Sequence, residues 1–157
     1  MKIISLVRQK QKIEWLINQA KTFDGDQLEL QSHWARYLCV LVAGFLENAI
    51  SEVYSSYVQK CANAQVANYV TSVLNKIKNP KSQKFLETAR SLNPDWELNL
   101  NNYIQQNGRK DAIDSVMTNR HLIAHGKDSG ITLASIDQYF KKGVEVIDYI
   151  EGQCGIY

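Results

Sequence analysis

The 157-residue chain has few of the residues that interrupt helices or cross-link small folds: two prolines, eight glycines and three cysteines. Cys39, Cys61 and Cys154 are odd in number and far apart, so they form neither a disulfide framework nor a CxxC metal motif. This use of cysteine favours a reducing, cytoplasmic location. The formal net charge of +2 is too small to predict nucleic-acid binding, which would need a local basic patch.

Long hydrophobic runs are also missing. The segment "IISLV" near the start is too short for the core of an export signal. The longest apolar run, Tyr37 to Leu46, is about half of the roughly 20 residues that span a bilayer, so we expect a buried helix and no membrane partner. With 45% hydrophobic and 22% charged residues the chain should fold, and its length fits one domain over residues 1–157.

The apolar residues recur mostly at three- and four-residue steps, which predicts helices and no convincing strand. A first helix near the start ends at "DGDQ", residues 24–27, and a long central helix runs from about Leu28 to Cys61. Further helices are expected at about 66–77, from Asn79-Pro80, at Asn93-Pro94 (a short helix or a structured loop), at about 108–125 and at about 132–150. The predicted fold is an all-α, antiparallel helical bundle, with Gly126 ending the penultimate helix.

The end of that helix, "TNRHLIAHGKD", is chemically unusual. On a helical wheel Arg120 lies at the centre of an apolar stripe formed by Ile113, Val116, Met117, Ile123 and Ala124. A guanidinium there needs an ion pair, a cleft or an interface. One reading is structural: Arg120 pairs with Glu47 of the central helix, and a histidine near a helix C-terminus needs no further role.

Two other readings start from His121 and His125, which are four residues apart. A metal site is only weakly indicated, because Leu122 stands where the zinc-protease motif HExxH has its glutamate and no third ligand is evident.

Cleavage of RNA by its own 2′-hydroxyl fits these residues better than a metal site does. It needs a base that titrates near neutrality, which histidine is, and a fixed cation for the charge on the phosphate, which arginine supplies. Neither role demands a metal or a cofactor.

The ordered motifs resemble a known family. Arg120 and His125 in "RHLIAHG" look like the R-x4-6-H signature of HEPN-domain ribonucleases. The blocks "WARYLCVLVAGFLENAI", "NPKSQKFLETA", Trp96, "RHLIAHG" and "ITLASIDQYFKKGVEVID" are similar in order and spacing to the RiboL-PSP-HEPN subgroup over about residues 30–150. The position after the arginine, frequently asparagine in the family, is His121 here, which leaves the division of labour between the two histidines open.

The resemblance implies four core helices with short extra helices, a homodimer in which two signature helices meet, and a metal-independent endoribonuclease that leaves 2′,3′-cyclic phosphate ends. It implies a toxin or antiviral-defence role, with a cognate antitoxin as a further partner. Arg120, His125 and His121 would be catalytic, and Glu47 and Asn119 would support them. Some HEPN domains lack the signature and only bind nucleotides or RNA, so a non-catalytic module is the alternative.

Basic residues outside the signature are candidates for contact with an RNA substrate. Lys76, Lys78, Lys81, Lys84 and Arg90 lie in a segment where Glu87 is the only acid, and Lys127 follows the signature directly. A solvated helix face would give the same pattern. Charge reversal at Lys81 and Lys84 should separate the two readings by its effect on the salt dependence of binding.

Overall fold

The fold is all-helical, as predicted. The computed structural model describes residues 1–156 and contains, within that range, seven helices and no strand. The helices are α1 (Ile4–Ala20), α2 (Leu28–Cys61), α3 (Ala64–Leu74), α4 (Ser82–Leu92), α5 (Pro94–Ile104), α6 (Arg109–Ala124) and α7 (Leu133–Gln153).

Helix α2 is the centre of the molecule and contacts α1, α3, α6 and α7. By length and composition alone it could cross a membrane, but 67% of its most apolar 18-residue stretch is buried inside the protein. An apolar helix that is covered on most sides by other helices is a core helix. The interpretation of Tyr37–Leu46 as the middle of a buried helix is therefore confirmed for this fold.

Four helices, α1, α2, α6 and α7, form an up-and-down bundle. The hydroxyl of Ser5 in α1 donates to Glu52 of α2, and the amide of Asn48 donates to Gln9 at 3.2 Å. Because the later residue of α1 pairs with the earlier residue of α2, the two helices are antiparallel. Helix α7 packs on α2 through the rings of Phe45 and Phe140, whose centroids are 5.6 Å apart. The shorter helices α3, α4 and α5 connect α2 to α6 along the chain. The arrangement agrees with the expected four core helices plus short extra helices.

The register between α2 and α6 sets the position of the functional residues. The thiol of Cys39 donates to the backbone oxygen of Val116 at 3.5 Å, and the earlier α2 residue Arg36 lies 3.7 Å from Asp128, which follows α6, so the two helices run in opposite directions. Moving from Cys39 toward the start of α2 therefore means moving from Val116 toward the end of α6. The start of α2, the end of α6 and the start of α7 consequently lie at one end of the bundle.

Most predicted helix bounds agree with the structure, and one start is wrong. Asn93 caps α5 as predicted, accepting from the Asp95 N–H at 2.9 Å, with Pro94 in the first turn. Asn79 does not cap α4: it has a positive φ of 48°, and its N–H donates to Glu47. Helix α4 starts instead at Ser82, because the Asp114 carboxylate accepts from the Ser82 N–H at 2.7 Å and from its hydroxyl at 2.9 Å.

Candidate active site at the end of helix α6

Helix α6 ends in a Schellman turn, which fixes the position of the signature residues. The Lys127 N–H donates to the Leu122 oxygen at 2.9 Å and the Gly126 N–H to the Ile123 oxygen at 3.1 Å. Gly126 has φ of 64°, a left-handed conformation that glycine adopts without steric penalty. The predicted stop at Gly126 is confirmed, and His125 is the C-cap residue directly after the last helical residue, Ala124.

The apolar stripe of α6 continues past the core. Ile113, Val116 and Met117 are fully buried, whereas Arg120 is half-buried one turn further on. Ala124, placed on the stripe by the helical wheel, is exposed. The last turn of α6 therefore extends beyond the hydrophobic core, and Arg120 lies at the boundary between the core and the solvent.

The two histidines lie side by side on the surface. Both are exposed, their ring centroids are 4.4 Å apart, and the ring planes are tilted by 57°. This follows from their spacing, because residues four apart are neighbours on a helix surface. Neither imidazole is hydrogen-bonded to another side chain within residues 1–156, so both are open to a substrate.

The expected ion pair between Arg120 and Glu47 does not form, and that prediction is wrong. The Glu47 carboxylate accepts from the Asn79 N–H at 2.6 Å and from Lys78 Nζ at 3.1 Å. The reason is axial position: Arg120 is level with the start of α2 near Arg36, and Glu47 is roughly 16 Å further along that helix at 1.5 Å per residue. Arg120 has no ion pair within the described part of the chain.

Asn119 is hydrogen-bonded to the loop that follows α6, and its supporting role in the site stays a prediction. Its amide donates to the Ser115 oxygen at 2.9 Å, and its side-chain oxygen accepts from the hydroxyl of Ser129 at 2.7 Å. Ser129 is nearly buried and also accepts from the Ile131 N–H at 3.4 Å. These bonds attach the loop between α6 and α7 to the residue directly before Arg120.

The predicted lysines do not gather around the histidines. Lys76 and Lys84 line a groove between α3 and α4, Lys78 is paired with Glu47, and Lys81 is the exposed residue before α4. The groove is fixed against α6 by Ser82 and Asp114. Because Asp114 is six residues before Arg120, the start of α4 lies about 9 Å along the helix axis from the signature arginine.

Several basic residues of this segment are partly neutralised. Lys84 has Glu87 at 3.6 Å, and the Arg90 Nε has Glu97 at 2.8 Å. Glu87 is the only acid within the segment itself, but folding also brings Glu47 of α2 to Lys78. Of the proposed RNA contacts, Lys127 alone follows directly on the signature, where it is exposed.

Metal and thiol chemistry have little support in the described residues. Within residues 1–156 no group of three or more histidine, cysteine or acidic side chains could hold a metal ion. Cys39 and Cys154 are buried, and burial raises the pKa of each thiol to about 12, so neither has the character of a nucleophile.

Two arginines that the sequence did not single out have defined positions. Arg109, at the start of α6, donates from Nε to Glu145 at 2.7 Å and lies over the ring of Tyr103 at 4.0 Å. Arg36 on α2 has Nη2 at 3.7 Å from Asp128, which lies three residues after His125. A signal for Arg36 was present, because it interrupts the apolar segment "WARYLCVLV" much as Arg120 interrupts its own stripe.

An all-helical bundle with an R-x4-H signature at an exposed helix end has the features of a HEPN domain. The RiboL-PSP-HEPN family matches the chain over residues 5–155, and the chain belongs to this family. The match begins within α1 and so extends well before the region of about 30–150 in which the motifs were recognised. Neither the curated proteins nor the solved structures contain a significant match. HEPN domains are often ribonucleases, so membership points to an RNA-related function.

Proposed function

We propose that the protein is a metal-independent endoribonuclease that cleaves RNA by attack of a 2′-hydroxyl on the adjacent phosphate. The observation that carries this proposal is the end of α6, where Arg120 without an ion pair adjoins two exposed imidazoles 4.4 Å apart. A cation and two proton-transfer groups are what this reaction requires, and none of the three is engaged in an ion pair or side-chain hydrogen bond within residues 1–156.

Each residue has one role in the proposed reaction. His125 takes the proton of the 2′-hydroxyl as the 2′-oxygen bonds to phosphorus. Arg120 binds the non-bridging oxygens, on which negative charge builds in the transition state. The bond from phosphorus to the 5′-oxygen then breaks, and His121 delivers a proton to that leaving oxygen. The products are a 2′,3′-cyclic phosphate and a 5′-hydroxyl, and no metal or cofactor takes part.

We also propose a homodimer in which two signature helices meet. Support comes from exposed apolar side chains on the part of α2 that is level with the signature: Tyr37 is 47% exposed and Val40 is 41% exposed. A two-fold contact would cover such residues and bring two copies of Arg120 around one cleft, where the phosphates of a bound RNA would neutralise both. A cytoplasmic toxin or antiviral-defence role, with a cognate antitoxin, fits this activity and rests on the family resemblance alone.

The test of activity is incubation of purified protein with total RNA in excess EDTA. We expect fragments with 2′,3′-cyclic phosphate ends, and we expect His125→Ala to abolish them. Cleavage that appears only after a divalent metal is added would contradict the mechanism. Wild-type protein that leaves RNA intact in several buffers would contradict the function itself.

The test of the shared cleft is a mixture of two inactive variants. If one centre takes Arg120 and His125 from different chains, mixing Arg120→Ala with His125→Ala protein should restore part of the cleavage. Light scattering should give the mass of a dimer for both variants. A monomer with full activity would exclude the shared cleft.

The alternative is a non-catalytic module for binding RNA or nucleotides or for assembly, in which Arg120 and Glu47 form a structural pair. Since Glu47 is bonded to Lys78 and Asn79 instead, this alternative loses the contact on which it rested. One result would still support this alternative: wild-type protein that binds RNA but does not cleave it.

A further inference from the structure

Arg36 has an incomplete set of partners. Its side chain is 37% exposed, and its Nη2 lies 3.7 Å from Asp128, a long contact with a carboxylate that is fully exposed. Its Nε is buried and has no hydrogen-bond partner among the described residues. A guanidinium offers five N–H donors, so most of the donor capacity of Arg36 is unused.

The helix register places Arg36 beside the signature. Cys39, one turn after Arg36 on α2, contacts the backbone of Val116 on α6. Because the helices are antiparallel, Arg36 is level with the turn of α6 that follows Val116, which contains Arg120. The contact with Asp128 agrees with this register, since Asp128 is in the loop that follows the signature helix.

A cavity continues the surface on the other side of Arg36. It has a volume of about 320 Å³ and lies between the first turns of α2, at Leu28, Gln31 and Ser32, and the loop residues Ser129–Leu133. Ser32 is one helical turn before Arg36. A strand of RNA that passed the end of α6 would therefore meet Arg36 and then this cavity.

We propose that Arg36 binds an RNA phosphate next to the scissile one, and that Asp128 holds the guanidinium only while RNA is absent. This inference rests on the proposed function, whose site it extends by one nucleotide. The planar guanidinium matches two phosphate oxygens at once. The carboxylate of Asp128 is a weak competitor, because it is exposed and touches a single nitrogen from a distance.

A structural ion pair would be built differently. Arg109 on α6 shows the contrast: it is buried, contacts Glu145 at 2.7 Å and also donates to the Tyr103 oxygen at 3.2 Å. Arg36 has neither the short contact nor the second acceptor. A phosphate supplies both, since each of its oxygens accepts hydrogen bonds.

The experiment measures equilibrium binding without cleavage. A fluorescent 2′-fluoro RNA oligonucleotide of mixed sequence keeps the phosphates but lacks the attacking hydroxyl, and its anisotropy is followed over a salt series. We compare wild-type protein with Arg36→Gln and Asp128→Asn. Arg8→Gln is the matched control, because Arg8 is an exposed arginine of α1, next to Gln9, which contacts α2 far from the signature.

Arg36→Gln should weaken binding about tenfold, as expected for a charge-assisted hydrogen bond, and should lower the salt slope by about 0.7. Asp128→Asn should bind more tightly than wild type, and this gain should be absent when Arg36 is also replaced by Gln. Loss of a negative charge acting on the RNA directly would raise the affinity in both backgrounds. Arg8→Gln should match wild type. Melting curves check that all variants are folded.

The outcomes separate this inference from the proposed function. Wild-type affinity and slope in Arg36→Gln, no gain in Asp128→Asn, or no binding by the wild type would each overturn the role of Arg36. If instead the wild type binds RNA through Arg36 but cleaves no RNA substrate, the proposed function fails and the phosphate contact stands.

Discussion

Helix α6 carries two arginines whose replacement by alanine should have opposite consequences. Arg109, at its start, is 8% exposed, bonded to Glu145 and to the Tyr103 oxygen, and stacked on the Tyr103 ring. Arg120, near its end, is half-buried and has no ion pair within residues 1–156. Arg109→Ala should reduce stability and spare the chemistry, while Arg120→Ala should do the reverse.

The contacts of Arg109 set the magnitude. A charge-assisted hydrogen bond contributes about 1.5 to 3 kcal/mol, and a cation–π contact contributes about 0.5 to 2 kcal/mol. Because Glu145 is 47% exposed, solvent screens part of this energy, and we expect a loss of about 3 kcal/mol in the free energy of unfolding. For a chain of this length each kcal/mol shifts Tm by about 2–4 °C, so Tm should fall by roughly 6–12 °C.

Arg120→Ala should change the free energy of unfolding by less than about 1 kcal/mol, since it breaks no ion pair and removes a charge from an apolar boundary. If a buried Arg120–Glu47 pair existed, the same change would cost about 3 to 5 kcal/mol. Cleavage should fall at least about a hundredfold, as when a donor to a developing oxyanion is removed.

The assay is thermal melting by circular dichroism, together with single-turnover RNA cleavage well below the lowest Tm. Both variants are compared with wild type in phosphate-free buffer, because phosphate would bind the arginine and raise Tm. Equal losses of Tm in the two variants, or normal cleavage by Arg120→Ala, would refute the separation of a structural arginine from a functional one.

Three further predictions concern the surroundings of the signature. Asn119→Ala, which frees the loop after α6, should lower cleavage and speed hydrogen exchange in that loop, whereas Thr118→Ala at the exposed neighbouring position should do neither. Burial of Asp114 would raise its pKa, but hydrogen bonds to the α4 start and an ion pair outweigh burial and hold the pKa below 3.8. Its stabilisation is therefore present above that pH and lost as the pH falls through the lowered value, so the stability difference between wild type and Asp114→Asn, measured by urea unfolding, should shrink below about pH 4. Charge reversal at Lys81 and Lys84 together should weaken RNA binding and flatten its salt dependence; an unchanged slope in a filter-binding titration would remove the groove between α3 and α4 from the RNA surface.

Local sequence signals predicted the helices well where no side chain from another helix competes for the same backbone groups. The bounds of α2, Leu28 and Cys61, are those expected from the "DGDQ" break and the long apolar segment. Asn79-Pro80 gave the same start signal as Asn93-Pro94, yet only the second begins a helix. The difference is tertiary: Glu47 takes the Asn79 N–H, and Asp114 caps Ser82 from another helix.

The sequence indicated which residues form the candidate site, but not how exposed they are or which side chains lie beside them. A helical wheel gives the direction of Arg120 and says nothing of how far α6 extends past the core. A helical wheel could therefore not predict that Ala124 is exposed or that Arg120 and Glu47 are far apart along the helix axis. Arg36 could not be placed from sequence because its proximity to the signature depends on the antiparallel register of α2 and α6, which the contact of Cys39 with Val116 defines.

The division of α6 at Met117 has a consequence for how the protein tolerates change. The turns up to Met117 fill the core, and the residues from 118 to 125 are exposed or half-buried. Substitutions in the second half can remove chemistry while the bundle still forms, so lineages could lose catalysis and keep a surface for RNA in very few steps. The same division suits laboratory selection: a library confined to the exposed residues Thr118, His121, Ala124 and His125 should yield mostly folded proteins, among which altered cleavage preferences can be sought without first restoring stability.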